Sequence, residues 1–274
     1  MARSAARFRW PALRADKAEA MINPFTGVGV ALVTIFADDG AADATATAAL
    51  ARNLADRGVR AVLACGTTGE AAALTDDERA AIITAVRAAV PAGIPVLAGT
   101  GAASAQRAAE LTAAARGAGA DAFLAWPPPG SADLLGYYSA IREAADGRPV
   151  LAYHIPWVSP PGVPVNALAA LPIAGVKDSS GSADRLLDEI AHYRGATYVG
   201  SSALLALAGP MGGAGAILAL ANVEPERCCR AFAGDAAAQL ELADRHLEVR
   251  AGGPAVLKRI LTASRGTPAA VRVS

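Results

Sequence analysis

The chain has 274 residues, 53% of them hydrophobic and only 18% charged, with 25 Lys+Arg against 25 Asp+Glu. This is enough apolar material for one large core or two small ones, and a net charge of zero offers no basic field to nucleic acid, so no such partner is expected. Three cysteines, two of them adjacent (Cys228 and Cys229), give neither a disulfide framework nor metal-ligand spacing, which fits a cytoplasmic setting.

Residues 1–22 differ from the rest. Arg3, Arg7, Arg9 and Arg14 punctuate an alanine-rich stretch that lacks the apolar middle of a secretory signal. They read as a disordered extension or as a start assigned too early, with Met21 as the true initiator; a transit peptide is the remaining reading. Beyond them, short apolar runs alternate with amphipathic stretches. Strands are expected at 28–35, 61–65, 95–98, 122–126, 150–153, 173–177, 198–200 and 216–218. Helices are expected at 43–57, 76–90, 103–117, 132–145, 165–171, 183–193 and 202–208. Thr75 with Glu78 forms a capping box at one helix start. Gly58 and Gly117 follow helical runs, where glycine suits a left-handed cap. From Tyr198 to Val223 there is no charge, a length that spans a bilayer. Gly200, Gly209, Pro210, Gly212, Gly213 and Gly215 divide it, however, and buried parallel strands read the same way, so no membrane span is expected. Residues 224–274 read as a small helical region whose Arg245, Arg250, Lys258 and Arg259 are solvated faces. Eight strands alternating with helices predict an α/β fold, a (β/α)₈ TIM barrel over 23–223, ahead of an open sheet.

In such a barrel the site lies at the carboxyl ends of the strands. There the chain places the loop Gly66-Thr67-Thr68-Gly69-Glu70, the run Tyr153-His154-Ile155-Pro156, and Lys177 at the end of Ile173-Ala174-Gly175-Val176. A charged ammonium closing a buried strand is costly, and a neutral lysine amine is a nucleophile for carbonyl carbon. Lys177 therefore points to Schiff-base chemistry on a 2-oxo acid. Thr67 and Thr68, with backbone N–H groups freed by Gly66 and Gly69, suit a carboxylate, and Tyr153 suits proton transfer. Candidate catalytic residues are Lys177, Tyr153 and Thr67; candidate substrate-binding residues are Thr68, Gly66, Gly69, Ser201 and Ile217, with Ser202 beside them. Strand alternation turns Val176, Asp178 and His154 outward. The iminium is itself the electron sink, so no metal or other cofactor is expected.

Plainer roles compete at several positions. Glu70 reads as a hydrogen-bonder holding its loop before a catalytic carboxylate. Tyr137 and Tyr138 pack on a helix or sit at a subunit contact. Ser179 and Ser180 either cap the sixth helix or touch substrate, and Cys65 is a small buried hydrophobe. His154, His192 and His246 accompany no Gly-x-Ser-x-Gly elbow, against a serine hydrolase. The run Gly117-Ala118-Gly119-Ala120-Asp121 passes from helix to strand, the wrong order for a dinucleotide fingerprint.

These motifs carry a family likeness. Gly66 to Glu70 with Glu78 beyond, Ala98-Gly99-Thr100-Gly101-Ala102, and Tyr153 to Pro156 followed by Gly175-Val176-Lys177-Asp178-Ser179 resemble the dihydrodipicolinate synthase / N-acetylneuraminate lyase family, in order from about Phe25 to Asn222. The resemblance implies a class I pyruvate aldolase or lyase with Lys177 as Schiff-base lysine, Tyr153 as proton shuttle, Thr67 and Thr68 at the carboxylate, pyruvate and an aldehyde as substrates, and a homotetramer or homodimer. It also implies departures. The synthase proper carries an arginine shortly after Tyr-x-x-Pro that binds its aldehyde's carboxylate, and a tyrosine after strand four. Here those segments are Trp157-Val158-Ser159-Pro160-Pro161-Gly162 and Trp126-Pro127-Pro128-Pro129-Gly130. The expectation is thus a 2-keto-3-deoxy sugar acid or similar 4-hydroxy-2-oxo acid, with an uncharged or hydroxylated aldehyde half. The alternatives are 4-hydroxy-tetrahydrodipicolinate synthase (pyruvate plus aspartate semialdehyde), dehydration through the same iminium, and a non-catalytic binding protein on the same barrel.

Overall fold

The computed structural model describes residues 23–273; the expected extension 1–22, with Met21, lies outside them. Eight parallel strands close in chain order into a barrel: β1 (Gly27–Ala31), β2 (Ala61–Ala64), β3 (Val96–Gly99), β4 (Ala122–Ala125), β5 (Val150–His154), β6 (Gly175–Asp178), β7 (Ala196–Val199) and β8 (Gly215–Leu218). Helices α1 (Ala44–Asp56), α2 (Asp76–Ala89), α3 (Ala105–Gly117), α4 (Leu134–Ala145), α5 (Val165–Leu168), α6 (Ala183–His192) and α7 (Leu205–Ala208) connect them. After β8 come α8 (Pro225–Phe232), α9 (Ala236–Glu241) and α10 (Ala243–Arg265). The expected (β/α)₈ TIM barrel is present.

Both faces of each strand are buried, which is why the strands read as unbroken apolar runs. Leu63, Leu97, Leu124 and Leu151 fill the barrel interior, while Val62, Val96, Phe123 and Val176 pack outward under the helices. Pairing sets Tyr153 of β5 opposite Lys177 of β6, and Lys177 opposite Tyr198 of β7. These three positions form one layer near the carboxyl end of the barrel.

Several boundaries move for local reasons. β1 stops at Ala31 rather than reaching 35, because side chains take over its ladder: Val33 N donates to Asn222 Oδ1 at 3.1 Å and Ile35 N to Thr47 Oγ1 at 2.9 Å. Gly58 adopts the left-handed conformation (φ 95°), but past α3 it is Gly119 (φ 98°), not Gly117, that does so. The Thr75–Glu78 capping box opens α2 as expected. The charge-free stretch 198–223 resolves into the end of β7, short helical turns and β8. No helix among the described residues is long and apolar enough to cross a membrane.

The C-terminal region corrects one reading and extends another. Lys258 is not on a solvated face: it is fully buried. Arg250 is exposed but lines the cavity at the barrel mouth. Gly253 (φ 52°, ψ −139°) breaks α10, and Pro254, which lacks an N–H, follows it.

Candidate active site

Lys177 and Tyr153 are 4% and 6% exposed. Lys177 Nζ donates to Tyr153 Oη at 3.3 Å and lies 4.3 Å from the ring centroid. Ser179 Oγ donates to the same phenol oxygen at 3.3 Å. The three groups converge because β5 and β6 are in register and Ser179 follows Lys177 with the alternation of a strand. Gly200, just past β7, makes room: a Cβ there would strike Ser179 Oγ and come 3.1 Å from Lys177 Cε. Tyr198, next in the layer, is committed elsewhere, its hydroxyl donating to the Phe25 carbonyl at 2.6 Å.

The outward-facing neighbours behave as alternation requires. Asp178 Oδ1 accepts from Ser180 N at 2.7 Å and Oδ2 from Ser180 Oγ at 3.0 Å. His154 Nδ1 accepts from Val163 N at 3.0 Å, and burial, assisted by the Arg185 charge, pulls the imidazole down to about 4. Ser182, rather than Ser179 or Ser180, caps α6.

The loop after β2 is held between two non-glycine residues in left-handed conformation, Cys65 (φ 52°) and Glu70 (φ 55°), an arrangement that surrounding contacts must enforce. Gly69 N donates to Gly66 O at 3.0 Å, and Thr34 Oγ1 to Gly69 O at 2.7 Å. A Cβ on Gly69 would sit 2.9 Å from the Leu32 carbonyl oxygen. Gly66 and Gly69 therefore frame the loop and are not among the residues lining the cavity. Thr67 and Thr68 do line it, and among the described residues neither hydroxyl has a hydrogen-bond partner. Glu70 takes the structural role: Oε1 accepts from Lys258 Nζ at 2.6 Å, and Oε2 from the backbone N of Arg272 and Val273 at 2.7 and 2.8 Å. Burial pushes the Cys65 thiol up to about 12, so it stays a thiol. Tyr137 and Tyr138 are buried packing residues whose hydroxyls donate to the carbonyls of Trp126 and Ala125 at 2.7 and 3.0 Å.

These groups open on a cavity of about 480 Å³ lined by Thr67, Thr68, Tyr153, Lys177, Ser201 and Ile217, all expected, and by Trp157, Ser179, Ser202, His246 and Arg250. His246 and Arg250 were not anticipated. The sign available in the sequence was the Gly252-Gly253-Pro254 break inside a charged helix, which marks a kink rather than a plain solvated face. Ser202 Oγ and His246 Nδ1 lie 2.8 Å apart. Among the described residues no group of three or more His, Cys, Asp and Glu side chains is placed to hold a metal ion.

A buried amine within reach of a phenol and a hydroxyl, facing unpartnered threonines across a small cavity, is suited to covalent capture of a small oxo acid. Sequence comparison decides the family: residues 24–252 match the Dihydrodipicolinate synthetase family. The chain belongs to that family. Its members are lyases of the class I aldolase type that form a Schiff base with pyruvate. The chain is 35% identical over 240 residues to 4-hydroxy-tetrahydrodipicolinate synthase of Nitrosomonas europaea, covering 81% of this chain and 80% of that one. It is 42% identical over 143 residues to the same-named protein of Synechococcus sp. WH7803, a match spanning 51% of this chain and only 47% of the relative. Among solved structures it is similar to YagE from E. coli K12, a prophage protein of the dihydrodipicolinic acid synthase family in complex with pyruvate, with a TM-score of 0.82 at 27% identity and coverage of 90% and 91% of the two chains.

Proposed function

We propose that the chain joins pyruvate, held as a Schiff base on Lys177, to an aldehyde, and that the aldehyde is aspartate semialdehyde, as in a 4-hydroxy-tetrahydrodipicolinate synthase. The observation that carries the Schiff-base reading is the buried Lys177 amine 3.3 Å from Tyr153 Oη inside the cavity. The acceptor reading is supported by relatives such as the N. europaea protein, a 4-hydroxy-tetrahydrodipicolinate synthase.

In this reading Thr67 and Thr68 hold the pyruvate carboxylate, and the neutral Lys177 amine adds to C2. The C2 oxygen takes a proton and leaves as water, giving an iminium. Loss of a C3 proton gives an enamine, whose C3 bonds to the aldehyde carbon while the aldehyde oxygen takes a proton. Tyr153 carries these protons, a role supported by the hydrogen bond its hydroxyl accepts from Ser179 Oγ. The acceptor's amino group then displaces Lys177 from C2 and closes the ring. Ser201 and Ile217 shape the pocket wall.

A second reading, cleavage of a 2-keto-3-deoxy sugar acid, draws on the absence of arginine from 157–162 and of tyrosine from 127–130. Incubation with pyruvate and borohydride, read by mass spectrometry, tests the shared step: a reduced adduct on Lys177, absent from Lys177→Arg, is expected. Unmodified protein would leave only a binding role. Consumption of pyruvate with aspartate semialdehyde, against release of pyruvate from a keto-deoxy acid, separates the two lyases. Family members are typically oligomeric; a homotetramer or homodimer is proposed, to be read by light scattering.

A further inference from the structure

Among the described residues lining the cavity, the basic side chains are Lys177 and Arg250, of which the guanidinium keeps its charge, and none is a carboxylate. Such a wall favours an anionic occupant. Lys177 is committed to C2 of pyruvate in the reading above, and Thr67 and Thr68 to its carboxylate. That leaves Arg250, on α10, without a role in binding pyruvate.

Arg250 differs from its neighbours on that helix. Arg245 and Arg259 are both paired with Glu248, at 2.6 and 2.7 Å. Among the described residues Arg250 has no ion pair and no hydrogen bond. One helical turn before it, His246 also lines the cavity, its ring held through Nδ1 by Ser202. Burial first, and then the Arg250 charge, lower this histidine. Three residues after Arg250, the break at Gly253 and Pro254, themselves lining residues, turns the helix at the rim. The segment after Tyr153-His154-Ile155-Pro156 supplies no cation of its own. A cavity of about 480 Å³ also exceeds what a three-carbon acid fills, and is of the size that takes a larger ligand.

We infer that Arg250 anchors a carboxylate on the acceptor aldehyde, from the wall that α10 contributes, with His246 beside it. A guanidinium matches a carboxylate with two parallel N–H donors. The acceptor is thus a semialdehyde of an acid, and the expectation of an uncharged partner is reversed. The inference rests on the Schiff-base reading and names the chemistry of its second substrate.

The test compares the intact protein with Arg250→Gln and Arg250→Lys. Pyruvate consumption is followed with succinate semialdehyde, with butyraldehyde as its neutral counterpart, and with glyceraldehyde 3-phosphate. In Arg250→Gln the ratio of kcat/KM for succinate semialdehyde over butyraldehyde should fall by about tenfold or more, through KM, and Arg250→Lys should recover part of it. An unchanged ratio overturns the anchor, as does preference of the unaltered protein for the phosphorylated aldehyde. Should no aldehyde be consumed, calorimetric titration of the pyruvate-loaded protein with succinate semialdehyde reads the same contact, and no binding overturns it. Failure of borohydride to trap pyruvate on Lys177 in the unaltered protein strikes the Schiff-base reading instead.

Discussion

Lys258 Nζ donates to Glu70 Oε1 at 2.6 Å, joining α10 to the loop that carries Thr67 and Thr68 across 188 residues of sequence. Both side chains are fully enclosed. The ammonium also donates to the Ala270 carbonyl at 2.7 Å and lies 4.1 Å from the Phe36 ring centroid. The C-terminal residues add two backbone donors to the same carboxylate and stack Arg272 on the same ring at 4.5 Å. The loop that carries Thr67 and Thr68 is thus held by Lys258, Arg272 and Val273.

Breaking this pair from one side strands a buried charge. Lys258→Met should lower stability by about 3–5 kcal/mol, measured by urea unfolding, and raise KM for pyruvate because the loop loosens. The double variant Lys258→Met/Glu70→Gln should recover a substantial part of that loss. If the two single losses simply add, the pair is not coupled.

The barrel and the centre of the site are legible in the sequence for one reason. Parallel strands buried on both faces print as apolar runs, and the residues ending them are the residues at the mouth. Tyr153, Lys177, Thr67 and Thr68 all sit at such ends. Lys258 and Arg250 are illegible for the opposite reason. Each lies on a charged helix whose Gly252-Gly253-Pro254 break marks a kink but not what it faces, and its role comes from where that helix docks: Lys258 on a carboxylate far away in sequence, Arg250 at the rim. Gly66 and Gly69 are visible as a loop, but whether a glycine touches substrate or frames the residues that do depends on packing against Leu32 and Thr34.

Tyr153→Phe keeps the buried ring and removes the hydroxyl shared by Lys177 and Ser179. Proton transfers to and from the reacting oxygens lose their carrier, so kcat should fall by about 10²–10⁴-fold. The borohydride-trapped pyruvate adduct should fall much less, since the amine remains. Unimpaired turnover would remove Tyr153 from the proton path.

Gly200→Ala puts a methyl group into the space of Ser179 Oγ and against Lys177 Cε. The strand end is otherwise unaltered, so the protein should fold, with far-ultraviolet circular dichroism unchanged. Displacement of the amine by a fraction of an ångström to an ångström should slow pyruvate adduct formation by about a hundredfold. Adduct formation at the normal rate would mean that Lys177 does not depend on this glycine for its position.

Glu189 of α6 gives the fold a pH dependence of its own. Its side chain is fully enclosed beside Arg185 at 2.8 Å. Burial pushes the carboxyl up to about 7, against the opposing pull of the Arg185 charge, with Asp178 adding to the rise. The folded protein therefore favours the neutral acid. Its contribution is full below the ordinary value of 4.5 and is lost as pH rises through about 7. His154, lowered to about 4, runs the other way, its contribution full above 6.5 and lost as pH falls through about 4. Comparing Glu189→Gln with the unaltered protein cancels the histidine. The amide stays neutral at every pH, so the variant should match the unaltered protein near pH 5 and exceed its Tm by a few degrees at pH 8. A Tm difference that does not change between those two pH values would place the Glu189 titration outside this window.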